Sequence, residues 1–487
     1  MDALWQTTMM ANSARDPYWQ ASLRRETRLT PPLKPVIEDT CSRCHMPMAR
    51  TTAAAAGNQG VVLDDGFLNP TNPLHDLAMD GVSCSICHQI EADQLGQAAT
   101  FDGQFIINTQ SPMGERPAYG PFAVDQDYSQ VMKMASGLVP TQGEQMGQSE
   151  LCATCHTLYT PFVDANGKPA GEFPEQMPYL EWEASSYNGE QTCQACHMPE
   201  ASGGVVLSIT GGPSRQPVRM HSFLGGSNTV LEELRADGDD LGVTASSDQL
   251  EDEIARMTQQ MQAQAASVSI EDAGLDGGSL TARVIVKDQT GHKFPTAFPS
   301  RRVWLHITVI DSTGKTVFES GAYEPNGRII GNANDDDASS FEPHYTTLSS
   351  PDQVQIYEDI MADTDGDVTT TLMRAATYVK DNRLLPEGFD KASVAPDIAI
   401  VGAAQSDPDF TGGGDTVHLS IDPANAVGPF TLQVEVNYQS VGYRWAENIN
   451  SVEAPEIERF ASLYSQVGNR PVTVASARAQ VKMETKQ

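Results

Sequence analysis

The sequence predicts an α+β chain in which a mostly irregular region with short helices precedes an antiparallel β-sandwich and a C-terminal helical segment. Two observations support this class. All eight cysteines lie in a Gly- and Pro-rich first part with little strand alternation, and residues after about 270 alternate between apolar and polar. A chain of 487 residues is also too long for one ordinary core. The predicted segments are 1–225 (the cysteine-rich domain), 226–269 (a helical connector), 270–445 (the sandwich) and 446–487 (the C-terminal helices).

The connector shows a helical pattern. Asp248 with Glu251 resembles a capping box, and Leu250, Met257 and Met261 recur at helical spacing. We interpret the methionines as core packing.

Four runs in the later half alternate with a period of two, which is typical of half-buried strands. The stretch Asp311-Ser-Thr-Gly314 predicts a hairpin turn between two of the strands. The runs are 280–286, 303–309, 417–421 and 430–438.

The charge of the chain excludes one large class of function. There are 64 acidic and 31 basic residues, so the formal net charge is -33. A protein that binds nucleic acid needs a basic surface, so nucleic acid is excluded as a partner. No apolar run approaches the ~20 residues of a membrane span, and the first residues lack the apolar core of a signal peptide.

The cysteines form one repeated pattern, C-x-x-C-H, and none lies outside it. In c-type attachment the two thiols bond covalently to a haem, and the histidine that follows becomes the proximal ligand of the iron. Zinc sites, disulfides and redox dithiols also use paired cysteines, but none of them requires a histidine at the next position. We therefore predict four covalently bound haem c groups. The motifs are Cys41-Ser-Arg-Cys44-His45, Cys84-Ser-Ile-Cys87-His88, Cys152-Ala-Thr-Cys155-His156 and Cys193-Gln-Ala-Cys196-His197.

Six further histidines could occupy the second axial position of an iron. His75, His221, His292 and His344 lie in irregular segments, and we predict all four as distal ligands, one for each iron. His306 and His418 alternate with strand residues and are expected to be structural. Methionine is the rival ligand, and the candidates in irregular segments are Met9, Met10, Met113 and Met146.

A short acidic stretch offers a calcium alternative. Asp363-Thr-Asp365-Gly-Asp367 resembles part of a calcium loop, but the glutamate expected at the far end is missing. We favour an acidic turn.

The chain resembles the multihaem c-type cytochromes of bacterial extracytoplasmic electron transfer, in which a haem-binding half precedes an immunoglobulin-like β domain. The stretches that carry the resemblance are MMANSARDPYW, TCSRCHMPMA, DGVSCSICHQI, LCATCHTLYTP, QTCQACHMP, MHSF, GHKFPTAFPSRR and QVQIYEDIM. The resemblance extends to tetrahaem extracellular cytochromes that polymerise into conducting filaments. From the strand and loop pattern we also expect the loops of the β domain, including those with His292 and His344, to dock onto the haem domain.

These observations favour an electron conduit over two other functions. The expected protein is not an enzyme: it passes electrons through bis-histidine haems to other redox proteins, as a homo-oligomer or filament. It is exported to the periplasm or beyond, with its leader absent from this numbering. The alternative is a multihaem oxidoreductase that reduces a small nitrogen or sulfur compound at one open haem. A surface-adhesion role would leave the haems unexplained.

Overall fold

The chain forms two compact units in the computed structural model, which describes residues 1–207 and 211–481. The first unit comprises Met1–Leu158, Gly189–Ala255 and Ala454–Phe460, and the second comprises Tyr159–Asn188, Arg256–Glu453 and 461–481. The units therefore interleave along the sequence, unlike the consecutive segments predicted with boundaries at 225, 269 and 445. Residues 208–210 and 482–487 of the predicted segments lie outside the described residues.

Sixteen α-helices occur among the described residues, and most are short. They are α1 (Asp2–Trp5), α2 (Pro17–Leu29), α3 (Lys34–His45), α4 (Pro47–Ala55), α5 (His75–Met79), α6 (Cys84–Cys87), α7 (Gln126–Ser136), α8 (Ser149–Ala153), α9 (Pro178–Glu183), α10 (Cys193–His197), α11 (Asn228–Ala236), α12 (Gly238–Leu241), α13 (Ser247–Gln264), α14 (Ala333–Asp336), α15 (Tyr443–Ile449) and α16 (Pro455–Val467).

Seventeen strands occur in the same part of the chain. They are β1 (Pro117–Gly120), β2 (Val139–Gln142), β3 (Leu158–Val163), β4 (Pro169–Gln176), β5 (Val205–Val206), β6 (Ser214–Arg215), β7 (Ala266–Asp276), β8 (Ser279–Asp288), β9 (Arg302–Ile310), β10 (Thr316–Ser320), β11 (Thr347–Leu348), β12 (Ile356–Tyr357), β13 (Asp359–Ala362), β14 (Thr377–Asp381), β15 (Gly414–Ile421), β16 (Phe430–Gln439) and β17 (Val472–Val481).

The second unit is built around two β-sheets that share one core. One sheet has the order β10-β9-β16-β17, with β12 also paired to β9, and the other has the order β11-β15-β8-β7. Alternate side chains of β8, β9, β15 and β16 are buried in a single apolar cluster. Burying one such side chain contributes about 1.5–3 kcal/mol, so the alternation fixes which face of each strand turns inward. The predicted sandwich strands and the Asp311–Gly314 turn are present.

The first unit is mostly helical and irregular. Its best-defined helix, α2, begins where the Asp16 carboxylate accepts the Trp19 amide at 3.0 Å and Pro17 occupies the first turn. Helix α2 also contacts residues from near the C-terminus, since Arg24 pairs with Glu456 at 2.8 Å. No helix of the described chain is both long and apolar enough to cross a membrane.

Three predicted details differ from the structure. The segment 446–487 is not helical throughout, because β17 covers Val472–Val481. Its alanines favour a helix by propensity, but small apolar and polar residues alternate there and pair with β16. Strand β7 begins at Ala266, inside the predicted connector. The capping box of α13 is formed by Ser246 and Gln249, not Asp248 and Glu251, with amide contacts of 2.8 and 3.3 Å.

Candidate haem-binding site

Each C-x-x-C-H motif lies on a single helical turn. In an α-helix, residues three and four positions apart share a face, so the two cysteines and the histidine of a motif project together. The first motif forms the end of α3, the second coincides with α6, the third follows from α8 and the fourth coincides with α10. None of the eight cysteines forms a disulfide in the described chain.

The third motif is central to the group. The Cys155 thiol lies within hydrogen-bonding reach of Cys44 from the first motif, and Cys152 lies within reach of Cys193 from the fourth. Burial raises the pKa of the Cys87 thiol in the second motif, and the nearby Cys155 raises it further. All four motifs are therefore close neighbours within the first unit.

Hydrogen bonds between side chains and the backbone join the third and fourth motifs. Ser149 accepts the Cys193 amide at 3.1 Å, and the Gln194 side chain donates to the Gln148 carbonyl at 2.7 Å. Ile86, Ile90 and Leu151 form a small apolar cluster between the second and third motifs, and Met146 packs against it. A flat apolar macrocycle requires such an apolar lining beside its cysteines.

Three proximal histidines are clamped in the same way. Each donates from Nδ1 to a backbone carbonyl of another segment, and its own carbonyl accepts a hydrogen bond from that same residue. The carbonyl partners of Nδ1 are Ser13 for His45 at 3.0 Å, Tyr119 for His88 at 2.5 Å and Leu224 for His197 at 2.5 Å. The return bonds are 2.9, 2.7 and 3.0 Å. A histidine held through Nδ1–H presents Nε2 as the ligand atom, which is the usual arrangement at metal sites.

His221 lies close to His88, the proximal histidine of the second motif. Their ring centroids are 6.2 Å apart and the ring planes differ by 13°. An imidazole nitrogen binds a metal at about 2.0 Å and lies about 1.1 Å from its ring centre, so two collinear ligands place their centroids about 6.2 Å apart. His221 Nδ1 also donates to a backbone carbonyl, that of Arg219 at 3.2 Å. These two residues fit an iron that is ligated on both faces.

His45 has a second contact that the sequence did not predict. The Trp19 ring stacks on the His45 ring with centroids 4.3 Å apart and an angle of 5° between the planes. Burial lowers the pKa of His45 to about 4. The imidazole is therefore neutral at physiological pH, as an iron ligand must be. Trp19 lies in the quoted stretch MMANSARDPYW, but no spacing rule connects it with the histidine.

Two more predicted distal histidines share the Nδ1 arrangement. His75, the first residue of α5, donates to the Phe67 carbonyl at 2.9 Å, and His292 donates to the Lys293 carbonyl at 2.9 Å. His75 belongs to the first unit and His292 to the second. Both remain predicted ligands, with Nε2 as the ligand atom.

The turn with His292 is held by buried charges of the second unit. The Lys293 ammonium is fully buried and contacts Asp381 at 2.7 Å, while its backbone amide donates to Glu181 at 3.2 Å. Arg383 pairs with Glu181 at 3.0 Å and with Asp381 at 2.7 Å. These contacts fix the backbone on the C-terminal side of His292.

His344 does not have the geometry of a haem ligand, and this prediction needs correction. Its side chain is 1% exposed, and Nε2 lies 2.9 Å from Asp407. Nδ1 accepts from the amide groups of Gln355 at 2.9 Å and Asn382 at 3.1 Å. Both ring nitrogens are therefore engaged inside the second unit. The sequence placed His344 in an exposed loop because its partners lie 11 to 63 residues away.

The same hydrogen bonds argue against a metal ion at this place. His344, Asp407 and Asp415 bring ligand atoms within 4.8 Å of one another. Yet Gln355 is oriented by the Tyr345 amide, which donates to its Oε1 at 2.8 Å, so its NH₂ group must face Nδ1. Nδ1 is then an acceptor and Nε2 carries the proton, which leaves no lone pair for a metal.

This network gives a pH-dependent prediction. Burial raises the pKa of Asp415 to about 7, and the nearby Asp407 contributes to this shift. Oδ2 of Asp415 accepts a hydrogen bond from Tyr357 at 2.8 Å. Burial lowers the pKa of His344. A carboxyl group whose pKa is higher in the folded than in the unfolded chain stabilises the fold at a pH below its unfolded pKa of about 4. That contribution to the free energy of unfolding is lost as the pH rises to 7. Asp415→Asn keeps an acceptor for Tyr357, so its unfolding free energy relative to the native chain should increase by about 2–3 kcal/mol between pH 5 and 8.

Chemical unfolding at the two pH values measures this difference. The exposed Asp352→Asn serves as the control and should show no such change. An equal pH response of Asp415→Asn and the native chain would contradict the prediction.

The acidic stretch at Asp363 is a turn, as favoured from the sequence. Asp363 Oδ1 accepts the amides of Asp365 and Asp367 at 2.9 and 3.2 Å, and Oδ2 pairs with Arg374 at 2.8 Å. The Asp363 carboxylate is thus occupied by donors, and the calcium alternative has no support here. The histidines predicted to be structural also pair with carboxylates: His306 with Glu319 at 2.9 Å and His418 with Asp409 at 3.1 Å.

Comparison with known proteins finds one solved structure with a similar fold. No protein-family model matches the chain, and no curated protein matches it. Among solved structures, the crystal structure of a penta-heme cytochrome c552 from Thermochromatium tepidum is similar, with a TM-score of 0.52 and 16% sequence identity. The match covers 98% of this chain and 94% of that chain.

At this identity the similarity concerns the fold alone. It supports the predicted α+β class. The prediction that the protein is not an enzyme is wrong on this comparison, since the fold shared with a penta-heme cytochrome c552 overturns that exclusion. The chain has the fold of a multihaem c-type cytochrome.

Proposed function

We propose that the protein is a tetrahaem cytochrome c that transfers electrons through closely spaced haems. The four C-x-x-C-H motifs would hold the haems through thioether bonds, with His45, His88, His156 and His197 as proximal ligands. Haem iron supplies one-electron chemistry when bound. The observation that carries the proposal is the His88–His221 pair, whose separation of 6.2 Å and near-parallel rings suit an iron with histidine on both faces.

The protein's own residues set the conditions for that transfer. The clamps on His45, His88 and His197 hold each ring in one orientation and one tautomer, so little rearrangement accompanies a change of charge on the iron. Cysteines of different motifs lie close together, so the haems attached to them would be close neighbours. Electrons can then pass between haems without a diffusing carrier.

A second candidate function follows from the ligand count. In the described chain three distal candidates, His75, His221 and His292, have Nδ1 on a backbone carbonyl, whereas His344 does not. Three distal histidines for four irons leave one iron without such a ligand. An open iron would suit a multihaem oxidoreductase acting on a small nitrogen or sulfur compound, as well as electron transfer.

Haem content and carbon monoxide binding test these proposals. We expect the intact mass and the haem absorbance of the purified, exported protein to show four haems per chain. If every iron has two protein ligands, carbon monoxide should leave the reduced spectrum unchanged, and if one is open, about one quarter of the haem should respond. A chain with no covalent haem would contradict both functions.

Export and self-association belong to the same proposal. Covalent haem attachment takes place outside the cytoplasm, so we propose a periplasmic or extracellular protein. The copies would associate into conducting filaments and exchange electrons with other redox proteins. Electron microscopy of the native protein should show fibres, and discrete monomers at every concentration would contradict this part of the proposal.

A further inference from the structure

Helix α7 and its surroundings form an unusual apolar surface on the first unit. None of the 11 residues of α7 is buried. Met134 is 86% exposed and Val131 is 55% exposed, and with Tyr128 and Met132 they recur three or four residues apart on one side of the helix. The side chains of α7 therefore bury little apolar surface against the protein atoms of the first unit.

Two neighbouring segments extend this surface. Met113, 63% exposed, lies beside the end of α7, where the Gly114 amide donates to the Gly137 carbonyl at 2.6 Å. The hairpin of β5 and β6 is attached through Arg215, which donates to the Ala123 carbonyl at 3.0 Å. We call the following set the α7 surface: Met113, Tyr128, Val131, Met132, Met134, Val206 and Leu207.

The clustering of these residues is the first argument for a docking site. Fourteen large apolar side chains are exposed among the described residues, and seven belong to the α7 surface. Isolated exposed apolar residues are common in soluble proteins, but a contiguous group marks an interaction site. Methionine is frequent in such sites because its flexible side chain adapts to a partner.

The charge of these segments is the second argument. Residues 111–142 and 201–219 contain four basic and three acidic residues, which gives +1 in a chain of -33. Two copies of the chain repel each other over most of their surfaces. These segments carry no excess of negative charge, so the repulsion between copies is small there and an acidic neighbour is weakly attracted.

The position of the surface relative to the second motif is the third argument. Strand β1, which pairs in parallel with β2 after α7, contains Tyr119, the residue that clamps His88. The hairpin of β5 and β6 leads directly to His221. Both segments that carry the α7 surface therefore also hold the two ligands of the proposed second haem.

We propose that the α7 surface is the docking site for a second copy of this chain. Contact there would bury the exposed methionines and place the second haem of one copy near its neighbour. The inference rests on the proposed self-association and names the residues responsible for it. It does not depend on which iron is open.

Sedimentation of the haem-loaded full chain tests this inference. Over roughly a hundredfold range of concentration the native protein should associate, and association should strengthen as added salt shortens the Debye length from about 30 to about 3 Å. The double variant Val131→Asp/Met134→Asp should weaken association by at least about tenfold. The haem spectrum of the double variant is compared with that of the native protein to check that the haems are retained.

Val427→Asp is the matched control. Val427 is 61% exposed but lies in the second unit, outside the α7 surface, and its replacement should leave association unchanged. Equal association of the double variant and the native chain would overturn the inference while leaving the filament proposal intact. A native chain that stays monomeric at every concentration and salt would overturn both.

Discussion

Replacing His221 by alanine should open one iron of the proposed haem groups. The rings of His221 and His88 lie 6.2 Å apart, a separation that would suit an iron held between them, so removing His221 would leave one axial site of that iron vacant. We expect about one quarter of the haem to become high-spin and to bind carbon monoxide, in addition to any iron already open. His221→Met should instead keep six ligands and raise the potential of a single haem, because a thioether favours the reduced iron more than imidazole does.

Spectroscopy and redox titration distinguish these outcomes. His418→Ala is a suitable control, since His418 is 42% exposed, pairs with Asp409 and should not alter the haem spectrum. A His221→Ala protein with the spectrum and carbon monoxide response of the native protein would contradict the assignment of this residue.

Replacing Lys293 by methionine should cause the largest loss of stability. The Lys293 ammonium is fully buried against Asp381, and Arg383 is the other cation facing Glu181, Asp359 and Asp381. Removing one cation leaves buried carboxylate charge without compensation. Breaking a buried pair in this way costs about 3–5 kcal/mol, so we expect a decrease of that size in the free energy of unfolding.

A surface ion pair provides the comparison. Arg283 is 39% exposed and contacts Glu271 and Asp272, each at 2.8 Å. Exposed pairs contribute at most about 1 kcal/mol, so Arg283→Met should have a small effect. Chemical unfolding of both variants measures the difference, and equal losses would contradict the role given to the buried network. Because Lys293 follows His292, we also expect haem spectra of the Lys293→Met protein to change if His292 is a ligand.

The C-x-x-C-H motifs could be recognised from short-range sequence pattern, whereas the contacts that hold their histidines could not. C-x-x-C-H is a local signature, because one helical turn brings both thiols and the imidazole to the same face. His221 was also predicted to be a ligand, and its proximity to His88 depends on the fold. The clamping carbonyls of Ser13, Tyr119 and Leu224 leave no trace in a sequence, because any residue type supplies a carbonyl.

Long-range partners explain the main errors. His344 was predicted to be a ligand because it lies in an irregular segment and completes a set of four, and only the fold brings Asp407, Asn382 and Gln355 around it. In β17, alanine favours a helix locally, yet pairing with β16 outweighs that preference. Residues 159–188 belong to the second unit although they lie between the third and fourth motifs. No change in amino-acid composition marks these unit boundaries in the sequence.

The position of the third motif among the other three would determine the path of electron transfer between the proposed haems. Cys155 approaches the first motif, Cys152 approaches the fourth, and the second motif lies near Cys155 as well. The haem of the third motif would then have three neighbours, so the four proposed haems would form a branched arrangement and not a single chain. Loss of the haem at Cys152 and Cys155 would then remove the neighbour that the other three share.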